Sequence, residues 1–328
     1  MTELHANLVL DIFTKFFFHD QSVNAISVIK LSEENFGLEI SIDAPPNGGT
    51  QNEKFQSLFN TERFNLPAEF FPGGNRAPKL AMEEIVFDYS GRPVKTASTS
   101  VQYNELCHIS NNLLFSLGPI LAVNTNPGEN DEYFILLCRH SAEIITPAML
   151  KDGIGFLIKR KTDMPWLKCE IIKMFDTEEV ADLAIGRLYF DSGIHPTKLA
   201  QQIFPSDIVV PTSNDIGKNV SHYGCCTCGP SGKIVSVNTA QRERGATHFT
   251  KGLIKMAGMV VPGDSGAPVM MNDKVIGLAV SQSGEKSFCC NNLSLAQPPI
   301  QNFFKSYYNT TENLDIRYFI TTRRIHAN

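Results

Sequence analysis

No stretch of this chain approaches the ~18 consecutive apolar residues that a membrane-spanning helix needs, so no transmembrane helix is expected. An excess of positive charge is also missing, since 29 Lys and Arg face 34 Asp and Glu for a net charge of −5. Proteins that hold nucleic acid or an anionic membrane by charge carry a basic footprint, so neither partner is expected. The first residues lack the basic start and unbroken apolar core of a secretory signal, because Glu3 comes early and Asp11 and Lys15 interrupt the apolar run. A cytoplasmic location is the expectation that follows. There is no internal repeat and no low-complexity tract.

What is present is a globular composition, with 42% hydrophobic and 19% charged residues over 328 positions, enough for a sizeable core. Leu4, Leu8, Ile12 and Phe16 recur at helical spacing and predict an amphipathic helix over residues 3–18 packed on the protein. Residues 25–31 and 37–42 alternate like strands around a Ser-Glu-Glu-Asn turn, and residues 44–49 and 71–78 read as loops. From about residue 97 the pattern changes to short strands with regular punctuation. Residues 119–125 and 133–137 flank a Pro-Gly-Glu-Asn turn as a hairpin, and further strands fall at 155–158, 171–174, 183–185, 233–237 and 275–280. Helix is expected mainly at the two ends.

The octapeptide Gly263-Asp264-Ser265-Gly266-Ala267-Pro268-Val269-Met270 carries the chemistry. Serine is a weak nucleophile at neutral pH and needs a base for its proton and donors for the oxyanion that forms. Glycines flanking Ser265 permit a tight turn that exposes the hydroxyl and turns backbone N–H groups outward. Upstream, residues 133–138 are an apolar run leading to His140, and Val180-Ala181-Asp182-Leu183-Ala184-Ile185 supplies an acid. The order His, Asp, Ser, with separations of 42 residues (140 to 182) and 83 residues (182 to 265), resembles the trypsin-like, chymotrypsin-fold serine proteases of the non-secreted type. Residues 220–234, with His222, Gly224, Thr227, Cys228 and Gly229, are similar to a second-barrel hairpin of that family, His222 standing for its Lys and Cys228 for a Gly. Ala296-Gln297-Pro298-Pro299-Ile300 resembles the entry to its closing helix. The likeness spans roughly residues 97–308.

The resemblance implies a mainly β fold of two six-stranded antiparallel β-barrels, the chymotrypsin-like double barrel. Residues 1–96 would be an N-terminal α+β extension, residues 97–328 the protease domain with its site between the barrels, and a helix would close the C-terminal end. It implies a serine endopeptidase acting through an acyl-enzyme on a protein or peptide substrate, with no cofactor. Ser265 would be the nucleophile, His140 the general base and then acid, and Asp182 the group orienting the imidazole. The N–H groups of Gly263 and Ser265 would form the oxyanion hole. Met259 and Val260 would line the primary pocket and Ser281, Gln282 and Ser283 the wall that pairs with substrate. Neither pocket residue is acidic, which disfavours Lys or Arg and points to an apolar or small residue before the cut bond. The alternative is a catalytically silent protease-fold binding protein whose N-terminal module recognises a partner. No Ile-Val-Gly-Gly type activation site precedes the first barrel, so Asp264 either finds an internal partner or belongs to a constitutively formed loop.

Of the eight cysteines, Cys225, Cys226 and Cys228, with His222 nearby and Cys289-Cys290 later, invite a zinc hypothesis. The remaining ligand pattern after the nucleophile is absent, and Ser141 stands where secreted relatives carry a disulfide cysteine. The reading is therefore buried free thiols and no metal.

Overall fold

A computed structural model describes residues 1–17, 22–42, 85–88, 94–95, 107–110, 113–116, 118–124, 131–143, 156–159, 167–189, 204–224, 227–242, 249–283 and 286–320. Over these residues the protein is mainly β, arranged as two sheets, with its two longer helices towards the ends of the chain. The expected loops at 44–49 and 71–78 and residues Cys225 and Cys226 fall outside the described residues. Among the described residues no helix is long and apolar enough to cross a membrane.

The second half of the chain builds a closed barrel. Its strands are β13 (Asn219–Tyr223), β14 (Cys228–Gln241), β15 (Thr250–Gly258), β16 (Pro268–Met271), β17 (Lys274–Ser283) and β18 (Ser287–Asn291). They pair in the ring β13-β16-β17-β18-β15-β14 and back to β13, every pair antiparallel. Closure removes the exposed edges that an open sheet would leave. Val220, Ile234, Ile254, Met256, Val269, Ile276 and Phe288 fill its interior. This is the six-stranded barrel that was expected.

The first sheet departs from that expectation. It contains β5 (Cys107–Ser110), β6 (Leu113–Ser116), β7 (Ile120–Asn124), β8 (Glu132–Leu137), β9 (Phe156–Lys159), β10 (Leu167–Met174), β11 (Ala184–Tyr189), β12 (Phe204–Pro205) and β19 (Asp315–Ile320). Their order is β12-β19-β7-β8-β11-β10-β9-β5-β6, nine strands rather than six. Seven of them, β5 to β11, are consecutive in the chain, and two come from later in it. β19 returns from the C-terminal end to pair with β7, and β12 pairs with β19.

The N-terminal helix α1 (Glu3–Phe16) forms as expected, capped by Thr2, whose hydroxyl accepts from the His5 N–H at 3.3 Å. Of the predicted stripe only Ile12 is buried, and the main buried face lies beside it. Ala6, Val9, Leu10 and Phe13 enter the core, whereas Leu4 is 78% exposed and Leu8 and Phe16 are each 42% exposed. The stripe 6, 9, 10, 13 follows the i, i+3, i+4, i+7 spacing and continues into buried Phe17. The helix covers β1 (Val23–Lys30) and β2 (Phe36–Ile42), an antiparallel hairpin, with β3 (Ile85–Asp88) parallel to β2. β1 also pairs with β14, Ala25 opposite Gln241 and Ser27 opposite Thr239. The long β14 therefore carries β13 along its first half and β1 along its second. The N-terminal segment extends the barrel sheet.

Among the described residues the next helix, α2 (Arg139–Glu143), follows β8, so His140 sits on a short helix and not at a strand end. Near the C-terminal end α3 (Leu293–Tyr307) starts earlier than the Pro-Pro pair suggested. Asn292 caps it, accepting from the Ser294 N–H at 3.1 Å, and Pro298 and Pro299 lie inside it. Each proline removes a donor to the carbonyl four residues earlier. Leu293, Ala296, Ile300 and Phe304 of α3 share one cluster with Phe134 and Leu136 of the first sheet and Val275 and Leu278 of the barrel. That common core fixes the two halves against each other.

Candidate active site

Ser265 follows Gly263 and Asp264 in a turn between Val260 and β16. Gly263 has φ 104° and Gly266 φ 89°, the left-handed region that a side chain rarely tolerates. Gly266 has a second constraint, since a Cβ there would lie 2.3 Å from the Ser116 carbonyl oxygen. Ser116, at the end of β6, clamps the turn from the other sheet. Its N–H donates to the Ser265 carbonyl at 2.8 Å and its hydroxyl to the Gly263 carbonyl at 2.9 Å. Ser116 was not among the anticipated site residues, because its contribution depends on the docking of two sheets.

The strand β8 ends at Leu137 and the α2 turn begins at once, which aims the His140 ring across the junction between the sheets. Asp182 lies in the turn leading into β11, with φ 47°, a conformation that aspartate adopts more readily than most residues. β8 and β11 are adjacent, Leu137 opposite Ala184, so the acid and the imidazole are neighbours by register. Asp182 Oδ1 accepts the His140 backbone N–H at 2.9 Å, and Oδ2 lies 2.5 Å from His140 Nδ1. The opposite ring nitrogen, Nε2, is 2.9 Å from Ser265 Oγ. The Asp182 carbonyl accepts from Asn291 Nδ2 at 3.5 Å, tying this loop to the barrel. Carboxylate, imidazole and hydroxyl thus form one continuous hydrogen-bonded line. All three residues are buried, with 5%, 4% and 0% of their surfaces exposed.

The neighbouring Asp264 is fully buried and answers the open question about its partner. Its Oδ1 accepts the Thr227 N–H at 3.0 Å, and its Oδ2 accepts the Thr227 hydroxyl and the Val261 N–H, the latter at 3.0 Å. His222 Nε2 stands 3.5 Å from Oδ2 and 2.5 Å from the Thr227 hydroxyl. Burial by itself raises the Asp264 pKa, but hydrogen bonds from His222, Thr227 and the backbone outweigh it and hold the carboxyl below its ordinary value. Asp264 is therefore anchored internally.

The anticipated pocket and wall residues separate. Val260 is buried in the barrel core, whereas Met259 is 57% exposed. Ser281 is buried with its hydroxyl donating to Gln241 Oε1 at 2.9 Å, and Gln282 is half-buried on the same strand. Ser283 is the last residue of β17.

Cys138, His140 and Asp182 are the group among the described residues that could offer a metal three ligand atoms, all within 4.8 Å of one another. Each is engaged otherwise. Cys138 donates to the Ala279 carbonyl at 3.3 Å, and the other two hold the line to Ser265. Cys138, Cys169, Cys289 and Cys290 are free and buried. Burial pushes the Cys289 thiol up to about 12 and the Cys169 and Cys290 thiols well above their ordinary value, so these sulfurs stay protonated and inert.

No protein-family model matches the chain, and no curated protein matches it. Solved structures similar to it include a glutamic-acid-specific serine protease described as using a histidine triad in substrate binding, at 14% identity and TM-score 0.42, covering 64% of this chain and 96% of that one. Thermobifida fusca protease A matches at 14% identity and TM-score 0.39, covering 68% of this chain and 98% of its own. A Nocardiopsis protease matches at 12% identity and TM-score 0.38, covering 67% and 99%.

Proposed function

We propose that the protein is a serine endopeptidase whose nucleophile is Ser265. The observation that carries this reading is the line from Asp182 Oδ2 through His140 to Ser265 Oγ, at 2.5 and 2.9 Å. In the reaction His140 Nε2 takes the Ser265 proton as Oγ bonds to the carbonyl carbon of the scissile peptide. Asp182 holds the Nδ1–H tautomer and stabilises the imidazolium that forms. The N–H groups of Gly263 and Ser265 bind the oxyanion, each such donor being worth about 3 kcal/mol. His140 then gives its proton to the leaving amine, and water, activated by the same imidazole, hydrolyses the acyl-enzyme.

Residues 97–328 form the catalytic domain in this reading and residues 1–96 an extension that shares the barrel sheet. Met259 and Val260 contribute to the primary pocket, and Ser281, Gln282 and Ser283 to the substrate wall. An apolar or small residue before the cut bond fits a pocket with no acid at 259 or 260. The substrate is a protein or peptide met in the cytoplasm, and no cofactor or metal enters any step.

The test is covalent labelling. A fluorophosphonate forms an Oγ–P bond and releases fluoride only at an activated serine. Labelling mapped to Ser265 by mass spectrometry, lost in Ser265→Ala and strongly reduced in His140→Ala, is the expected result. Folded protein that stays unlabelled after prolonged exposure to excess probe would remove the basis for the proposal.

A further inference from the structure

One short strand joins the barrel sheet off its main path. β4 (Val94–Lys95) pairs antiparallel with β17, Lys95 opposite Ser281 and Val94 opposite Gln282. At these positions β17 already has β18 on one edge, with Ser281 opposite Cys289 and Gln282 opposite Phe288. Its other edge is taken by β16 only as far as Leu278, opposite Pro268. Beyond that point the chain leaves the edge to form the nucleophile turn, which stays pinned to β17. The Gly266 N–H donates to the Ala279 carbonyl and the Ala279 N–H to the Ala267 carbonyl, both at 2.8 Å. Ser281 is two residues past this pin, roughly 7 Å along the strand. β4 therefore occupies the stretch of edge that begins beside Ser265.

Its direction matters too. Running from Val94 to Lys95, the segment travels from Gln282 towards Ser281, that is, towards Ala279 and the nucleophile. Strand addition to an open edge is a general way for a protein to hold an extended peptide. Ser265 and His140 are 0% and 4% exposed. An external peptide adding to this edge would have to replace β4 at Ser281 and Gln282.

We propose that β4 is a built-in occupant of the peptide-binding edge beside Ser265, an intramolecular latch that competes with substrate. The proposal rests on the protease reading above. A two-residue strand makes few hydrogen bonds, so a longer peptide with more of them can displace it. The residue opposite Ser281 is a lysine, the type that Met259 and Val260 disfavour before a cut bond. The latch docks without being a good substrate.

The double substitution Val94→Pro with Lys95→Pro removes both backbone donors of β4 and ends its pairing. Val94→Gly with Lys95→Gly is the gentler companion, weakening the strand through chain entropy. Hydrogen exchange of the full chain reads docking independently of chemistry. Faster exchange confined to residues 280–283, with β10 and β11 unchanged, is expected in both variants. Fluorophosphonate labelling of Ser265 should then be about tenfold faster in the proline variant and less so in the glycine variant. Unchanged exchange at 280–283 would overturn the proposal, as would faster exchange with an unaltered labelling rate. Cleavage after Lys95 in the wild type but not in Ser265→Ala would make β4 a substrate and also overturn it. No labelling in any variant, with docking demonstrably lost, would remove the protease reading itself and the latch with it.

Discussion

Thr227 gives both its backbone N–H and its hydroxyl to the carboxylate of Asp264, the residue that immediately precedes Ser265. The hairpin of β13 and β14 thereby fixes the turn that carries Ser265. His222, on β13, adds its Nε2 to the same carboxylate and hydroxyl. β13 also pairs with β16, which follows the turn, His222 opposite Val269. Anchor and anchored segment are therefore parts of one continuous ladder, and no cleaved N-terminus is needed to hold it.

The pH consequence follows from the sign of the shift. Asp264 has a folded pKa below its ordinary value of 3.8. Its contribution to stability is fully present above that ordinary value and is lost as the pH falls through the lower, folded one. Thr227→Val removes the hydroxyl donor and should bring the two values closer, at a cost of about 1.5–3 kcal/mol for a hydrogen bond to a charged group. Acid unfolding followed by circular dichroism should then begin at higher pH in the variant. An acid transition at the wild-type pH would show that the hydroxyl does not hold the carboxylate.

Gly224 leaves no room for a side chain beside this anchor, since a Cβ there would lie 2.1 Å from Asp264 Oδ1. Gly224→Ala must push the carboxylate or the strand aside, and overpacking of this kind costs about 1–3 kcal/mol. Because the displaced group is the neighbour of Ser265, the loss should appear mainly in kcat and less in KM. Steady-state peptide hydrolysis with a thermal melt on the same sample separates the two effects. A variant with wild-type kcat would show that the turn does not depend on Asp264.

Asp182→Asn tests the other end of the line. The asparagine can still accept the His140 backbone N–H, now made to Oδ1 at 2.9 Å, so the fold should be kept. It cannot favour the Nδ1–H tautomer or stabilise an imidazolium, and kcat/KM at neutral pH should fall by about 10⁴-fold. A fall of less than about tenfold, with the melting temperature unchanged, would take Asp182 out of the proposed mechanism.

Much of this site is legible in the chain because its pieces are local. Gly263 and Gly266 announce a turn that tolerates positive φ, and the apolar run before His140 and the turn before Leu183 read as flanks of β8 and β11. The supporting contacts are not local. Ser116 reaches Gly263 and Ser265 across 147 and 149 positions (263 − 116 and 265 − 116), and nothing in Leu-Leu-Phe-Ser marks it as a clamp. His222 and Thr227 stand out in sequence only as parts of a hairpin, and their bonds to Asp264 depend on strand register. In α1 the period was readable but the phase was not, because two apolar stripes compete and the surface beneath decides between them. β19 was missed for a related reason. Its partner β7 lies about 190 positions earlier, so its place in the first sheet is set by tertiary pairing.

The tie between the N-terminal segment and the barrel gives the last expectation. Lys255, on β15, is 3% exposed in its side chain and pairs with Glu39 of β2, itself 17% exposed. Thr239 of β14 also donates to the Ser27 hydroxyl at 3.0 Å, and Arg242 to the Phe17 carbonyl at 2.7 Å. Removing one member of a buried pair takes away the charge that offsets the other's burial, which costs about 3–5 kcal/mol. Glu39→Ala should therefore shift the urea midpoint strongly downward. Glu39→Ala with Lys255→Met, which removes both charges, should recover most of the loss. Shortening the chain to begin at Ala97 strips β1 from β14 as well as Glu39 from Lys255. That form should be less stable than Glu39→Ala and more prone to associate through the uncovered edge of β14. A shortened protein that unfolds at the wild-type urea concentration would show that residues 1–96 are an independent module resting on the barrel, with no part in its stability.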